Sequence, residues 1–212
     1  MRRNIIVFDT ETTGVGIKDE VIQFCGILLE QRDDRLTIAK VVNFYCDTNK
    51  HIPQDAINVH GIDNKLLYEL SEGKYFEECI ASFSEFINPT IPTLYMSYGI
   101  SFDKRLINQT LEQNGYSPID FGNTLSSMPV DMKVNSNICL LQLCSQIYNN
   151  SYKIKLASLL NKEPLKKTLD LLYNKLKAAC KIKTANDTYH DAFYDTVACL
   201  VILMHSKLYL SY

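Results

Sequence analysis

The stretch NIIVFDTETTG, residues 4–14, places two acidic side chains directly after a continuous apolar run. An uninterrupted apolar run of this length is typical of a buried strand in the centre of a sheet. Asp9 and Glu11 are two positions apart, so in an extended chain their side chains point the same way. Two neighbouring carboxylates repel each other, and a shared Mg²⁺ or Mn²⁺ ion, which prefers hard oxygen ligands, relieves that repulsion. The alternative is that both are ordinary turn and surface residues, because the pattern D-x-E is common by itself.

Outward from this strand, the chain shows further strand and helix patterns. Residues 20–30 and 36–46 are strand candidates, and the polar link QRDDR between them predicts an antiparallel hairpin. Apolar spacing predicts helices over residues 71–87, 103–115 and 191–207, two helical pieces around Pro164 within 154–180, and a strand over 91–98. This succession indicates an α/β fold with a mixed β-sheet flanked by α-helices. Residues 116–150 are harder to assign and contain one short apolar patch, ICLLQLC.

Length and composition are those of an ordinary globular chain. The 212 residues predict a single domain, and 46% hydrophobic with 22% charged residues suffices for a core. No apolar run is long enough for a transmembrane helix, and the apolar run after the N-terminal arginines is too short for a signal peptide. The seven cysteines include no C-x-x-C pair, which argues against zinc and favours buried, reduced thiols. We therefore expect a cytoplasmic protein that does not contact membranes.

Charge is distributed unevenly along the chain, although the net charge is only −2. Residues 151–183 contain nine lysines against Glu163 and Asp170. Such a segment is most often a solvated helix face, and the alternative is a strip that contacts phosphates. On the second interpretation, Lys166 and Lys167 are expected to contribute to the salt dependence of nucleic-acid binding.

Two later positions add candidate catalytic side chains. In SYGISFDKRL, residues 97–106, Asp103 lies where a helix follows a strand, and its simplest role is the helix N-cap. In NDTYHDAFYDT, residues 186–196, His190 precedes Asp195 by five positions near the start of the last helix. A histidine there can act as a base near neutral pH, and the alternative is a surface histidine.

Taken together, these blocks resemble the DnaQ-like DEDDh 3′→5′ exonuclease superfamily, which includes the proofreading epsilon subunit of DNA polymerase III. The matching blocks are D-x-E-T-T-G at 9–14, F-D at 102–103 and H-x-A-x-x-D at 190–195, in that order. The segment IPQDAINVHGID at 52–63 resembles a further segment of the family that lies against the terminal nucleotide. The resemblance spans residues 4–205 and implies a ribonuclease H-like fold.

The resemblance also implies a function and a site. It implies hydrolysis of phosphodiester bonds at the 3′ end of single-stranded nucleic acid, with DNA favoured and nucleoside 5′-monophosphates released. Two divalent cations, Mg²⁺ or Mn²⁺, would be held by Asp9, Glu11, Asp103 and Asp195. His190 would be the base, because Asp191 occupies the position where a second subclass has tyrosine. The implied substrate contacts are Thr10, Thr12, Thr13, His60 and Phe102, although His60 could instead cap the turn HGID. Asp191 would then stabilise the helix N-terminus through the dipole, and Asp187 would be a loop or cap residue.

Two features depart from the family pattern. Gly99 stands where many members have an asparagine four residues before the aspartate, and the span from Asp103 to His190 is long, which predicts an insertion within residues 116–165. Asp131 resembles a structural aspartate of the family. A replication or repair protein such as a polymerase is an expected partner. The alternatives are an RNA-trimming exoribonuclease of the same fold and a non-catalytic nucleic-acid-binding or scaffold domain.

Overall fold

The computed structural model describes residues 2–32, 35–87, 91–126, 134–147, 155–161 and 163–205. Its sheet consists of β1 (Arg2–Thr12), β2 (Val21–Arg32), β3 (Arg35–Tyr45), β4 (Thr93–Ser97), β5 (Asn123–Leu125) and β6 (Ser136–Cys139). The strand order is β3-β2-β1-β4-β6-β5. The first three strands are antiparallel neighbours, whereas β4, β6 and β5 run parallel to β1. The expected mixed sheet and the hairpin of β2 and β3 are therefore confirmed.

Helices cover both faces of this sheet. They are α1 (Gln54–His60), α2 (Asn64–Ser71), α3 (Phe76–Ile87), α4 (Ile100–Gln113), α5 (Leu140–Ile147), α6 (Leu156–Leu160), α7 (Leu165–Cys180) and α8 (Ala192–His205). Among these, α8 is buried from Ala192 to Leu203 and is apolar almost all round, as expected of a helix enclosed by sheet and helices. It lies against β1 and β2 and is covered in turn by α6 and α7.

Alternation along β1 separates two hydrophobic cores. Ile5 and Val7 pack in the core that contains α5 to α8, whereas Ile6 and Phe8 pack in the core that contains α3 and α4. Successive side chains of a strand point to opposite faces. Because Asp9 and Glu11 continue the series of Ile5 and Val7, they are directed to the face that α8 covers.

Several element boundaries differ from the predictions. β1 extends to Thr12, so Asp9 and Glu11 are part of the strand rather than of a turn after it. The helix predicted over 71–87 begins only at Phe76, because Gly73 takes a left-handed φ of 70° after α2 ends. Helices α1 and α2 were not assigned from the sequence because they are short, at 7 and 8 residues. The two helical pieces around Pro164 are confirmed as α6 and α7.

Residues 116–165 supply ordinary parts of the fold where they are described. Strands β5 and β6 extend the sheet, and α5 and α6 join the core beneath α8. Asp131 lies outside the described residues, so its expected structural role stays a prediction, as does the insertion itself. None of the described helices is long and apolar enough to cross a membrane.

Candidate active site

Three carboxylates meet at the carboxyl end of β1. Asp9, Glu11 and Asp195 each offer an oxygen, and these oxygens lie within 4.8 Å of one another. The strand alternation directs Asp9 and Glu11 toward α8, and Asp195 faces them from the first turn of that helix. Asp195 was expected on the second turn, but α8 begins only at Ala192, two residues after His190. Asp9 and Glu11 lie near the start of the sequence and Asp195 near its end, and the packing of α8 on β1 brings them together.

The electrostatics of this group fit a divalent cation. Burial, followed by repulsion from neighbouring carboxylates, raises the pKa of Asp9 and of Glu11 well above the usual range. Burial likewise raises the pKa of Asp195 to about 7. The Oδ1 atom of Asp195 is buried and has no hydrogen-bond partner among the described residues. An acceptor in that position, beside two further carboxylates, is satisfied by a bound cation with hard oxygen ligands.

Asp103 approaches the same strand end from the opposite face of the sheet. Its helix α4 packs in the second core, and there Thr10 Oγ1 donates to Asp103 Oδ1 at 2.7 Å. Ser97 Oγ at the end of β4 donates to the other carboxylate oxygen. Asp103 is therefore not the N-cap of α4, a position held by Gly99. Burial raises its pKa to about 6, and these hydroxyl donors limit the rise. The structure thus brings three of the four predicted acids into one cluster and places the fourth beside it.

His190 lies on the segment that enters α8. Its side chain is exposed and lines the same cleft as the carboxylates. Its backbone N–H donates to Asp195 Oδ2 at 3.1 Å, and its φ of 66° is left-handed, which is uncommon for a residue with a side chain. The backbone of His190 is therefore connected directly to a member of the acidic cluster.

The predicted substrate contacts form the wall of the cleft, but their polar groups are largely used by the protein. Thr10, Thr12 and Thr13 donate their hydroxyls to Asp103, to the Gly14 carbonyl and to Asp19, respectively. His60 is buried; its Nδ1 accepts from the Ile62 N–H at 3.0 Å, and its Nε2 lies 3.2 Å from the Thr12 carbonyl. Burial lowers the pKa of His60, so the ring is kept neutral. The alternative role of His60, capping the turn HGID, therefore fits the hydrogen bonds of its ring. The predicted contact with substrate would have to use the face of the ring.

The whole-chain comparison agrees with this geometry. The family model for RNase_T, described as an exonuclease, matches residues 6–203. The chain belongs to the RNase_T exonuclease family. The matched range contains every candidate catalytic residue named above, and the predicted membership of the exonuclease superfamily is confirmed.

Individual relatives match this chain at moderate to low identity. DNA polymerase III subunit epsilon of Buchnera aphidicola subsp. Acyrthosiphon pisum (strain APS) is 30% identical over 117 residues, which are 52% of this chain and 46% of that protein. Escherichia coli exonuclease I in complex with a 5cy-dA13 oligonucleotide has a TM-score of 0.66 at 16% identity, over 98% of this chain and 42% of that one. The zinc ion-bound form of the E. coli exonuclease I–ssDNA complex has a TM-score of 0.58 at 19% identity, over 99% and 42% of the two chains. The chain thus spans less than half the length of these relatives, and the expected ribonuclease H-like fold is confirmed.

The cleft has a volume of about 850 Å³ and a strongly acidic lining. Six aspartate and glutamate residues line it: Asp9, Glu11, Asp19, Asp55, Asp103 and Asp195. Among the described residues that line it, Lys155 is the one lysine or arginine. Lys155 is exposed and directly precedes α6, whose Leu156 and Leu160 are buried beneath α8. A cation at a defined position is therefore available to a polyanionic substrate in an otherwise negative cleft.

Three of the seven described lysines of the basic segment pair with carboxylates outside the cleft. Lys166 pairs with Asp170 on its own helix, and Lys183 pairs with Glu72 at 2.7 Å. Lys177 pairs with Asp187, which also accepts from Tyr173 and Thr184 and whose pKa these contacts lower to about 2. Asp187 is thus a loop residue braced against α7, as predicted. These three paired lysines fit the interpretation of a solvated helix face. Lys155 is the described lysine of the segment that lines the cleft.

Asp191 has a larger role than the sequence indicated. Only a dipole interaction with the N-terminus of α8 was predicted, but Asp191 caps this helix: its Oδ1 accepts from the backbone N–H groups of Phe193 and Tyr194. The dipole argument gave no sign that the residue would be completely buried or that its second oxygen would have three more donors. The polar residues of β2 and β3 that supply two of those donors, Gln23 and Tyr45, could have been found from their position among apolar neighbours in the strands.

Proposed function

We propose that this chain is a metal-dependent 3′→5′ exonuclease that hydrolyses single-stranded nucleic acid, with DNA favoured, and releases nucleoside 5′-monophosphates. The observation that carries the proposal is the cluster of Asp9, Glu11 and Asp195, with His190 beside it on the same cleft. Its support comes from the exonuclease family model and from the order of the acidic and histidine blocks along the chain.

The proposed metal site uses residues from both sides of the sheet. Asp9, Glu11 and Asp195 would hold one divalent cation, and Asp9 together with Asp103 would hold a second, directly or through water. Two such ions neutralise the phosphodiester and clamp the attacking and leaving oxygens, which is the chemistry they supply in phosphoryl transfer. Asp103 would reach this ion while the hydroxyls of Thr10 and Ser97 fix the orientation of its carboxylate.

The remaining steps belong to side chains of this protein. His190 would accept the proton of the attacking water at an imidazole nitrogen, which makes it the general base of the reaction. The ring forms no hydrogen bond with any residue that the structure describes, so both nitrogens are available to solvent and substrate. Lys155 would contact a backbone phosphate of the incoming strand, and Phe102 would offer a ring face in the cleft wall.

The choice of DNA and of a partner is part of the same proposal. Two of the structural neighbours hold single-stranded DNA or a DNA oligonucleotide, which favours DNA as the substrate class. A polymerase or another replication protein is proposed as a partner because the relative in Buchnera is a polymerase subunit. A cytoplasmic location remains a prediction from the sequence.

The direct test is the release of mononucleotides from labelled oligonucleotides with Mn²⁺ or Mg²⁺. A 3′-end label should appear at once as a mononucleotide, and a 5′-end label should give a descending ladder, which together define the direction. Matched DNA and RNA strands of the same sequence, and the DNA as a duplex, distinguish the substrate classes. We expect Asp9→Asn and His190→Ala to lose at least about 100-fold in rate, the lower range for a general base.

Two substitutions serve as matched controls. Asp170→Asn removes a surface carboxylate on α7, and His51→Ala removes an exposed histidine outside the cleft lining. Both should retain wild-type rates. A folded wild-type protein that releases no nucleotide from any strand in either metal would reject the proposed function in favour of a non-catalytic domain.

A further inference from the structure

Asp191 is a buried carboxylate with an unusually full set of hydrogen bonds. Its side chain has no exposed surface. Its Oδ1 accepts from Phe193 N at 3.0 Å and Tyr194 N at 3.3 Å, and its Oδ2 accepts from Tyr45 Oη at 3.0 Å, Ala185 N at 3.2 Å and Gln23 Nε2 at 3.3 Å. A helix cap needs only one oxygen. The donors on the second oxygen therefore serve something other than capping.

These donors connect the chain before α8 to the sheet. Tyr45 Oη also accepts from the Ala185 N–H at 2.9 Å, and Gln23 Oε1 accepts from the Ala192 N–H at 3.1 Å. Gln23 therefore holds both Asp191 and the residue after it. Residues 185–192 are thus fastened at both ends to β2 and β3, with Asp191 as the shared acceptor.

Two residues between these attachments, Tyr189 and His190, line the cleft, and His190 is the proposed base. Its φ of 66° is a conformation that a residue with a side chain adopts only when its surroundings require it. No hydrogen bond from a described residue orients its ring, so the direction of the ring depends on the backbone. That backbone is held on one side by Asp195, which accepts from the His190 N–H, and on the other by Asp191.

The same contacts argue against Asp191 as a metal ligand. Its oxygens are occupied by five protein donors, and it is neither part of the acidic cluster nor among the residues that line the cleft. Asp195 in contrast has a buried oxygen without a hydrogen-bond partner among the described residues. The two aspartates of the last helix therefore have different tasks.

We propose that Asp191 is a positioning residue for His190. It fastens residues 185–192 to β2 and β3, and thereby holds the backbone of His190 in the left-handed conformation that directs its imidazole into the cleft. This inference rests on the proposed function, in which His190 is the base. It assigns to the last helix a pair of carboxylates, of which Asp195 binds metal and Asp191 orients the base.

The test is a double-mutant cycle between Asp191→Asn and His190→Ala, measured in single turnover with excess enzyme. The asparagine side chain would keep an oxygen for the helix cap, but its amide N–H₂ would face the backbone N–H of Ala185. Both groups are donors and the backbone N–H cannot turn away, so this hydrogen bond would be lost. In the wild-type background we expect the rate of cleavage to fall by about 10- to 100-fold, the range for residues that orient a catalytic group. The KM for the oligonucleotide and the affinity for Mn²⁺ should change by less than about twofold, because neither the cleft nor the acidic cluster loses a contact. In the His190→Ala background the same substitution should change the rate by less than about twofold, because no ring remains to be oriented.

Two further variants complete the design. Asp63→Asn alters another capping aspartate, on α2, which accepts from the Leu66 N–H at 2.7 Å, and it should leave the rate unchanged. Tyr45→Phe removes one donor from Asp191 and should cause a smaller loss that also disappears without His190; it replaces Asp191→Asn should that variant not fold.

Several results would overturn the positioning role. Equal losses in both backgrounds would show that Asp191 supports only general stability, and an Mn²⁺ affinity that falls together with the rate would place its effect on the metal site. Full activity of His190→Ala would remove the base that Asp191 is proposed to orient, while leaving the nuclease activity intact. Absence of cleavage by the wild-type protein is a different outcome, because it rejects the proposed function itself.

Discussion

Replacing Asp195 by asparagine should stabilise the metal-free protein while weakening its response to metal. Asp195 is 8% exposed and carries the acidic oxygen that has no hydrogen-bond partner among the described residues. Burial raises its pKa from 3.8 to about 7. The folded protein therefore binds this proton more tightly than the unfolded chain does. As the pH rises from 3.8 through 7, the unfolded chain ionises first, and stability is lost across that window.

The size of the loss follows from the two pKa values. A rise from 3.8 to about 7 corresponds to about 4 kcal/mol at about 1.4 kcal/mol for each pH unit. Wild-type protein without metal carries this full cost at pH 8, and Asp195→Asn does not. The asparagine oxygen can still accept from the His190 N–H, which now lies 3.1 Å from the carboxylate, and its amide group can donate to Asp9 or Glu11. We therefore expect the variant to unfold about 10 °C higher at pH 8, at roughly 2–4 °C for each kcal/mol in a chain of this size.

Thermal unfolding in a chelating buffer measures this difference at several pH values. The variant should be more stable than wild type at pH 8, and the difference should shrink to about 1 kcal/mol at pH 4.5, where the folded wild-type carboxyl is protonated. Added Mn²⁺ should raise the melting temperature of wild type more than that of the variant. Asp170→Asn, which removes an exposed carboxylate paired with Lys166, should stay within about 1 kcal/mol of wild type at every pH. A variant no more stable than wild type at pH 8, or a difference that does not depend on pH, would refute the reasoning.

Three further outcomes follow from the same structure. Lys155→Gln should raise the KM for a single-stranded oligonucleotide and reduce the slope of log binding constant against log salt by about 0.7, the value for one phosphate contact; Lys175→Gln, exposed on α7 outside the cleft lining, should leave both unchanged. Thr10→Val removes the hydroxyl that donates to Asp103, so the pKa of Asp103 should rise above about 6 and the acidic limb of the pH–rate profile should move to higher pH; an unmoved limb would contradict this. Chelation of metal from wild type should lower the melting temperature more at pH 8 than at pH 5, because the cluster is protonated at the lower pH and needs no counter-charge; equal losses at both pH values would mean that the metal binds elsewhere.

The elements that the sequence predicted well are those whose pattern has a single physical cause. The apolar run before Asp9 is a central strand because both of its faces are covered, and the last helix is apolar on every side because sheet and helices enclose it. Some short elements, such as β5 with three residues and α1 with seven, were missed because so few residues do not establish a period. Their conformation depends on neighbours that are remote in sequence.

Some features of the candidate site could also be predicted from local sequence, and others could not. The spacing of Asp9 and Glu11 was enough to predict a shared direction, because alternation is a local property of a strand. The N-cap role considered for Asp103 was wrong, since α4 begins three residues earlier, at Ile100. The hydroxyls of Thr10 and Ser97, which donate to the carboxylate of Asp103, lie on strands β1 and β4. The sequence around Asp103 therefore did not show them.

By itself, the sequence determined the α/β fold class and the candidate groups, which are four acids and a histidine in the order and local contexts of an exonuclease family. Only the tertiary structure decided which of these groups touch. It brings Asp195 close to Asp9 and Glu11, whereas the carboxylate of Asp103 accepts from two hydroxyls. Among the described residues that line the cleft, Lys155 is the one lysine or arginine. It also distinguishes two buried aspartates four residues apart: both oxygens of Asp191 have donors, whereas Oδ1 of Asp195 has none among the described residues. The physical reason is that local spacing sets only the direction of a side chain along its own element, whereas the donors, acceptors and charges it meets come from elements packed against it.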